Sequence, residues 1–338
     1  MFERIVVPLD GSRLAEAVLP VVVSLGGKLK AQVILLHALE REAPSEVHGE
    51  KHLTNEAEAC QYLAEVEERF FQGYSQVESH VHTDQVEDVA NSIVDHIHEF
   101  DPGMIAMCTH GRSGLRTRLF GSIAQKVVTA GRTPVLMVDP SKFDPATPYP
   151  CERMLVPLDG DPDHEGSLPA AQALAKACNA SLDLLMVVPT VQTLSGEPAA
   201  TAILLPGATR AVLDMSLENA QGYLQQKLDK FQAEGIKAGA KILRGEPAAN
   251  IVSASQDFDS DLIVLATHGK QSMQAFWAGS ISPKVITQSS RPVLLVPVES
   301  RTESPFRPPS QGGDLPSRRR YPDDLKITFA YQNKSPPW

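Results

Sequence analysis

Short aliphatic runs separated by longer amphipathic stretches set the pattern of this chain. Residues 4–8 and 31–38 are β-branched or aliphatic runs, and residues 12–25 between them read as a helix. Strand, crossover helix, strand is the βαβ signature. Further helices are predicted over 54–71 and from about 86 to 100, with a strand at 76–82 between them. A wholly apolar strand at 104–107, a glycine-bearing loop, a helix opening at Gly121-Ser122 and a last strand at 134–138 complete the set. Five strands with four helices result, and the nearly unbroken apolar runs suit a parallel sheet covered on both faces.

The same plan then returns. Strands are predicted near 153–156, 181–188, 236–243, 262–265 and 293–296, and helices near 165–178, 210–231, 248–258 and 280–289. Individual residues repeat as well. Val7-Pro8-Leu9-Asp10-Gly11 recurs as Val156-Pro157-Leu158-Asp159-Gly160. Thr109-His110-Gly111 followed by Gly121-Ser122 recurs as Thr267-His268-Gly269 followed by Gly279-Ser280. The copies keep their order, so the chain is a tandem duplication of one α/β domain. The first block is offset by 149 residues and the later blocks by 158, which places a nine-residue net insertion in the second copy. The Pro/Gly/Ala-rich stretch 189–209 is the expected place for it. Domains are assigned to 1–140 and 151–298, a linker with four prolines to 141–150 and the Pro140 before it, and a disordered tail to 299–338, where Pro, Ser, Gly and Arg dominate.

Charge narrows the partners. A formal net charge of -10 argues against a general binder of nucleic acid or anionic membrane, because neutralising phosphates takes a basic surface. A small molecule or another protein is the expected partner. No apolar run approaches the length that spans a bilayer, and Met1-Phe2-Glu3-Arg4 leads into a strand without a signal-peptide pattern, so the expected compartment is the cytoplasm. Cys60, Cys108, Cys151 and Cys178 show no CxxC pairing and occupy unrelated positions in the two halves, which reads as buried or incidental thiols.

The repeated residues fall where such sheets bind ligands, beyond the carboxyl ends of the strands. Asp10 and Asp159 follow the first strand of each half, and the Thr-His-Gly turn follows the fourth. If those strands are neighbours, aspartate and glycine loop share a crevice. The loop suits phosphate: Gly111 and Gly121 let the backbone approach an anion, and Ser122 opens a helix whose free N–H groups favour negative charge. Arg112, Arg116 and Arg118 add positive potential. An aspartate repels phosphate, so Asp10 suits the sugar or base end.

The ordered combination Val-Pro-Leu-Asp-Gly, Thr-His-Gly, nine residues, Gly-Ser and a final Pro-Val-Leu-x-Val resembles the universal stress protein family in its tandem two-domain form, over 1–140 and 151–298. The resemblance implies two Rossmann-like domains of the adenine nucleotide alpha hydrolase type, each a five-stranded parallel sheet of order 3-2-1-4-5. It implies ATP, with or without Mg2+, as the bound cofactor, held through G-x2-G-x9-G-(S/T). Carried over by position, Gly111, Gly121, Ser122 and the Ile123 amide would bind phosphate in the first half. Gly269, Gly279, Ser280 and the Ile281 amide would do so in the second. Asp10 and Asp159 would contact the nucleoside, and Ala38 and Val187 would line the adenine. It also implies that the last strands of the two halves pair as an internal pseudo-dimer, with further homodimerisation open. The first glycine of the pattern is replaced by Cys108 and Ala266, and a residue with φ > 0 there would be strained.

Competing readings stand beside these. Asp10 and Asp159 suit helix N-caps. His110 and His268 have no nucleophile or second acid repeated beside them, so a turn role outweighs general base chemistry. His80 and His82 share a strand face, His96 and His98 point apart on a helix, and solvated surface histidines are expected rather than a metal site. The leading function is a stress-response protein that binds ATP or a related adenine nucleotide as a sensor or regulatory ligand. A nucleotide-free protein-interaction module is the alternative, and slow nucleotide hydrolysis comes third, since no Walker-type Gly-Lys-Ser/Thr or nucleophile–base pair is present. The second loop, 270–278, carries one lysine against three arginines in the first, so tighter binding is expected in the first half.

Overall fold

The computed structural model describes residues 1–41, 44–109, 121–130, 133–142, 148–194, 196–268 and 281–298. The first half runs β1 (Arg4–Pro8), α1 (Leu19–Leu29), β2 (Gln32–Glu40), a small hairpin of β3 (Glu46–Val47) and β4 (Glu50–Lys51), α2 (Glu56–Phe70), β5 (Val77–Val86), α3 (Val89–Phe100), β6 (Met104–Cys108), α4 (Ser122–Ala130) and β7 (Val135–Val138). The second runs β8 (Arg153–Leu158), α5 (Ser167–Cys178), β9 (Ser181–Val188), α6 (Glu197–Leu204), α7 (Pro206–Ala233), β10 (Ala238–Arg244), α8 (Pro247–Asp257), β11 (Leu262–His268), α9 (Ile281–Gln288) and β12 (Val293–Val298).

All ten long strands form one sheet, in the order β10-β9-β8-β11-β12-β7-β6-β1-β2-β5. Each half therefore has the order 3-2-1-4-5 and is parallel throughout. The halves meet antiparallel, Val293 opposite Met137, Leu294 opposite Leu136 and Leu295 opposite Val135. This pairing covers the edge that each half would otherwise expose, and an uncovered apolar edge strand invites aggregation. Because side chains alternate across a sheet, one layer takes Val7, Leu35, Leu136, Val156 and Leu294 against α1, α2, α5 and α7. The other takes Val6, Ile34, Met137, Leu155 and Leu295 against α3, α4, α8 and α9. Both cores run unbroken across the junction.

Two stretches depart from the sequence reading. Within 189–209, the expected place of the insertion, α6 covers 197–204 and α7 begins at Pro206, ahead of the helix expected from 210. The prolines that look like breakers sit in the first turns of these helices, where a missing N–H costs nothing. The β3–β4 hairpin was not expected, because its strands are two residues long and hold a single apolar residue, Val47. Its turn, His48-Gly49, has φ of 54° and 83°, the pair of positive values that a type I′ turn requires. The tail 299–338 lies outside the described residues.

Candidate functional site

Strands β1 and β6 are neighbours, so the condition on which the crevice depends is met. Their register, Val6 opposite Ile105, brings Asp10 and Thr109 to one level beyond the carboxyl ends. On the other side Pro8 pairs with Leu36, which brings Ala38 to that level too. Thr109 is tied to the sheet through its N–H, which donates to the Val138 carbonyl at 2.9 Å. The Gly121 N–H in turn donates to the Thr109 carbonyl at 2.9 Å, closing the base of the loop and setting the start of α4 beside β6. By helix geometry the first amides of α4 have no intrahelical acceptor. Ser122 is exposed, as is Ile123. His110, Gly111 and the three loop arginines lie outside the described residues, as do Gly269, Gly279 and Ser280.

Cys108 and Ala266, which replace the first motif glycine, are ordinary strand residues. Cys108 pairs with Val138 and Ala266 with Val296, and neither has a positive φ. The strain expected there is absent because the strands continue through both positions. The Cys108 thiol donates to the Leu14 carbonyl at 3.2 Å, and burial pushes its pKa up, so it is held as a neutral thiol.

Asp10 serves two partners. One carboxylate oxygen accepts from the Ser12 N–H at 2.9 Å and its hydroxyl at 2.6 Å, which organises the turn before the 3₁₀ helix Ala15–Val18. The expectation that Asp10 caps the first helix is corrected: it closes a turn on Ser12, and the residues that open the 3₁₀ helix and α1, Leu14 and Val18, receive no side-chain cap. The other faces His48 Nε2 at 3.2 Å. Burial alone would raise the Asp10 pKa, but the hydrogen bonds from His48 and Ser12 bring it below the usual carboxylate value. The same bond to Asp10 raises the pKa of His48. Two further contacts hold the hairpin over this turn: Glu50 accepts from the Arg13 N–H at 3.0 Å, and Leu53 packs on Gly11. The hairpin is a strap across the Asp10 loop, and sequence reading missed it; the His-Gly dipeptide at 48–49 was the available signal.

His37, next to Ala38 on β2, is buried, with Nδ1 2.8 Å from the Leu9 carbonyl. A carbonyl can only accept, so Nδ1 carries the proton and Nε2 is a buried acceptor without a partner among the described residues. Burial lowers the His37 pKa and keeps the ring neutral.

In the second half Asp159 again pairs with a histidine, His164, here from the turn that follows it, and accepts from the Asp161 N–H at 3.0 Å. Val187 is half-buried, and Ile281 begins α9.

A cavity of about 430 Å³ on the α2 side of Gly11 is lined by Glu16, Glu50, Glu65 and Glu68 against Arg13 and Arg69. Arg69 is already spent on Glu16, at 2.8 and 2.9 Å, so this acidic hollow is no phosphate site. His96 corrects the expectation of solvated histidines: it is buried, with Nε2 3.2 Å from His80 Nε2 and its ring against His82 and Phe100. His98, two residues on, is exposed, since i and i+2 on a helix cannot both face the sheet. No group of three metal-ligating side chains with suitable geometry occurs among the described residues.

Fold and site together define a duplicated Rossmann-like domain with Asp10 and Asp159 at corresponding strand ends of the two halves. The sequence profile of the universal stress protein family matches residues 1–139 and 150–297, and the chain belongs to that family. A universal stress protein of Methanocaldococcus jannaschii is 29% identical over 148 residues, covering 43% of this chain and 81% of that protein. YxiE, a universal stress protein of Bacillus subtilis, is 30% identical over 148 residues, covering 43% and 97%. Among solved structures, a universal stress protein from Archaeoglobus fulgidus has a TM-score of 0.58 at 18% identity, covering 87% of this chain and 96% of that one, which supports the fold. No described helix is long and apolar enough to cross a membrane.

Proposed function

We propose that the first half binds an adenine nucleotide, ATP foremost, as a regulatory ligand in a stress response. The observation that carries this reading is the loop closure at Thr109 and Gly121, which sets the amides of Ser122 and Ile123 at the edge shared by Asp10 and Ala38. The residues fit the group. Helix amides suit phosphate, and the small Ala38 leaves room for a base. When bound, the nucleotide supplies charge and apolar surface; the chain supplies amides, a carboxylate and no repeated nucleophile. Magnesium, if it accompanies ATP, would bind through the phosphates. The second half carries the weaker loop and is the lesser site. Thermal denaturation tests the reading. With ATP at a hundredfold excess over Kd, the folded state should gain about 2.7 kcal/mol, and an unmoved melting curve across millimolar ATP contradicts it.

The strap regulates this site. His48 occupies the Asp10 oxygen that a ribose hydroxyl would need. Because the His48 pKa is raised in the folded state, its hold is complete below the ordinary histidine value and fades as pH rises through the raised one. Asp10, with a lowered pKa, keeps its side of the pair until pH falls through that lowered value. Affinity for ATP should therefore rise in the native chain as pH climbs through the raised His48 value, relative to His48→Ala, in which the strap no longer reports pH. Parallel profiles for the two proteins would remove the strap from the mechanism. Gly49→Ala should act like mild alkalinity: φ of +83° disfavours a side chain by about 1 kcal/mol although nothing lies within 4 Å of the added carbon.

A second reading, docking of a partner protein, draws on the insertion. Ile203, Leu204 and Leu205 on and after α6, with Met215 on α7, are large apolar residues more than half exposed. Isolated exposed apolar residues are common, but four close in sequence are a recognised mark of an interaction surface.

A further inference from the structure

The second half holds a pair of cysteines that the nucleotide reading does not use. Cys151 follows Pro150 at the entry to β8, and Cys178 is the last residue of α5. Their Sγ atoms are 3.0 Å apart, closer than two unbonded thiols ordinarily pack. Forming the bond needs about 1 Å of further approach.

The backbone holds them there. Cys151 has φ of +50°, the left-handed region that is costly for a residue with a Cβ and persists only where its surroundings enforce it. Tyr149 is buried, with its hydroxyl donating to the Asp261 carbonyl at 2.9 Å. The N–H groups of Glu152 and Arg153 donate to one oxygen of the Asp261 carboxylate at 2.6 and 2.9 Å. From the first half, Ser24 Oγ donates to the Tyr149 carbonyl at 2.7 Å and the Lys28 ammonium donates to the Pro150 carbonyl. Segment 149–153 is thus pinned from both sides, and the Cys151 thiol is presented to Cys178. Cys60 is exposed and Cys108 bonds to Leu14, so neither competes.

We infer that Cys151 and Cys178 form a reversible dithiol–disulfide modification site that reacts with hydrogen peroxide. Cys178 is the attacking sulfur. It is 9% exposed while Cys151 is fully enclosed. The hydrogen bond from Cys151 lowers the Cys178 pKa, and the Lys28 charge acts in the same direction. Thiolates, not thiols, attack peroxide. The Cys178 thiolate takes one peroxide oxygen, the O–O bond breaks and hydroxide leaves, giving a sulfenic acid. Cys151 sulfur then attacks Cys178 sulfur, the S–O bond breaks, and the hydroxyl departs with the Cys151 proton as water. Two thiols are oxidised and one peroxide is reduced to two waters, counting the proton first released from Cys178. A small dithiol reverses the step by exchange. The disulfide closes a ring around β8 and α5, with 26 residues between the cysteines, and restricts the unfolded chain.

The test uses the full reduced chain, treated with hydrogen peroxide, denatured, alkylated and mapped by mass. The expected product is a cross-link between the peptides of Cys151 and Cys178, lighter by two hydrogens and lost on adding dithiothreitol, with Cys108 still alkylated. The melting midpoint should rise by several degrees on oxidation in the native protein and stay put in Cys178→Ala. Full alkylation of both Cys151 and Cys178, under peroxide that has oxidised exposed Cys60, overturns the inference. The peptide map of the native chain decides the matter by itself, so the result does not depend on the variant folding, and it stands or falls separately from nucleotide binding.

Discussion

Leu294→Asp should leave no stably folded protein. Leu294 lies opposite Leu136 in the antiparallel pairing of β12 with β7, and both side chains are fully enclosed in the core shared by α1 and α5. Loss of the leucine alone costs about 2–5 kcal/mol, and a buried carboxylate without a partner adds several more or forces its own protonation. That sum reaches the whole stability of an ordinary domain, about 5–15 kcal/mol. Leu294→Met keeps the volume and should cost less than about 1.5 kcal/mol. Denaturant unfolding of the pair checks both. A Leu294→Asp chain that melts like the native protein would mean that the junction between the halves is open in solution. The effect is large because this strand pair joins both cores of both halves, so the damage is not confined to one domain.

Gly121→Val should separate binding from folding. A carbon added at Gly121 would meet the Thr109 carbonyl oxygen at 3.4 Å, and the backbone there is not in the left-handed region, so the chain tolerates a small side chain. Valine, with two further methyls, crowds the base of the loop where a phosphate would approach the first amides of α4. Affinity for ATP at the first site should fall at least tenfold, about 1.4 kcal/mol, while the melting midpoint without nucleotide moves little. Unchanged affinity would take the α4 amides out of the binding site. Gly121→Ala is the graded control and should lie between the two.

Much of the fold is legible because its physics is local and repeated. A parallel sheet covered on both faces needs runs such as Ile5, Val6 and Val7, and the duplication shows each run twice. That Asp10 and Gly121 share one edge of the sheet followed by the same logic. What stayed hidden depends on tertiary placement. The β3–β4 strap has too few apolar residues to show a period, and its contacts with Asp10, Gly11 and Arg13 join residues some 40 positions apart. Stretch 189–209 announces itself as an insertion but not as helix, because Pro198 and Pro206 disfavour a helix interior yet open helices equally well. The neighbouring sulfurs of Cys151 and Cys178 follow from the fold of α5 back onto the entry to β8, which spacing alone does not announce.

Calorimetric titration of the nucleotide-stripped full chain with ATP, magnesium present, tests the central claim most directly. The account predicts saturable heat with a dominant site of about one per chain that is lost in Gly121→Val, and a weaker second site at most. No heat and no thermal stabilisation at any accessible concentration would contradict it and turn attention to the apolar surface of α6.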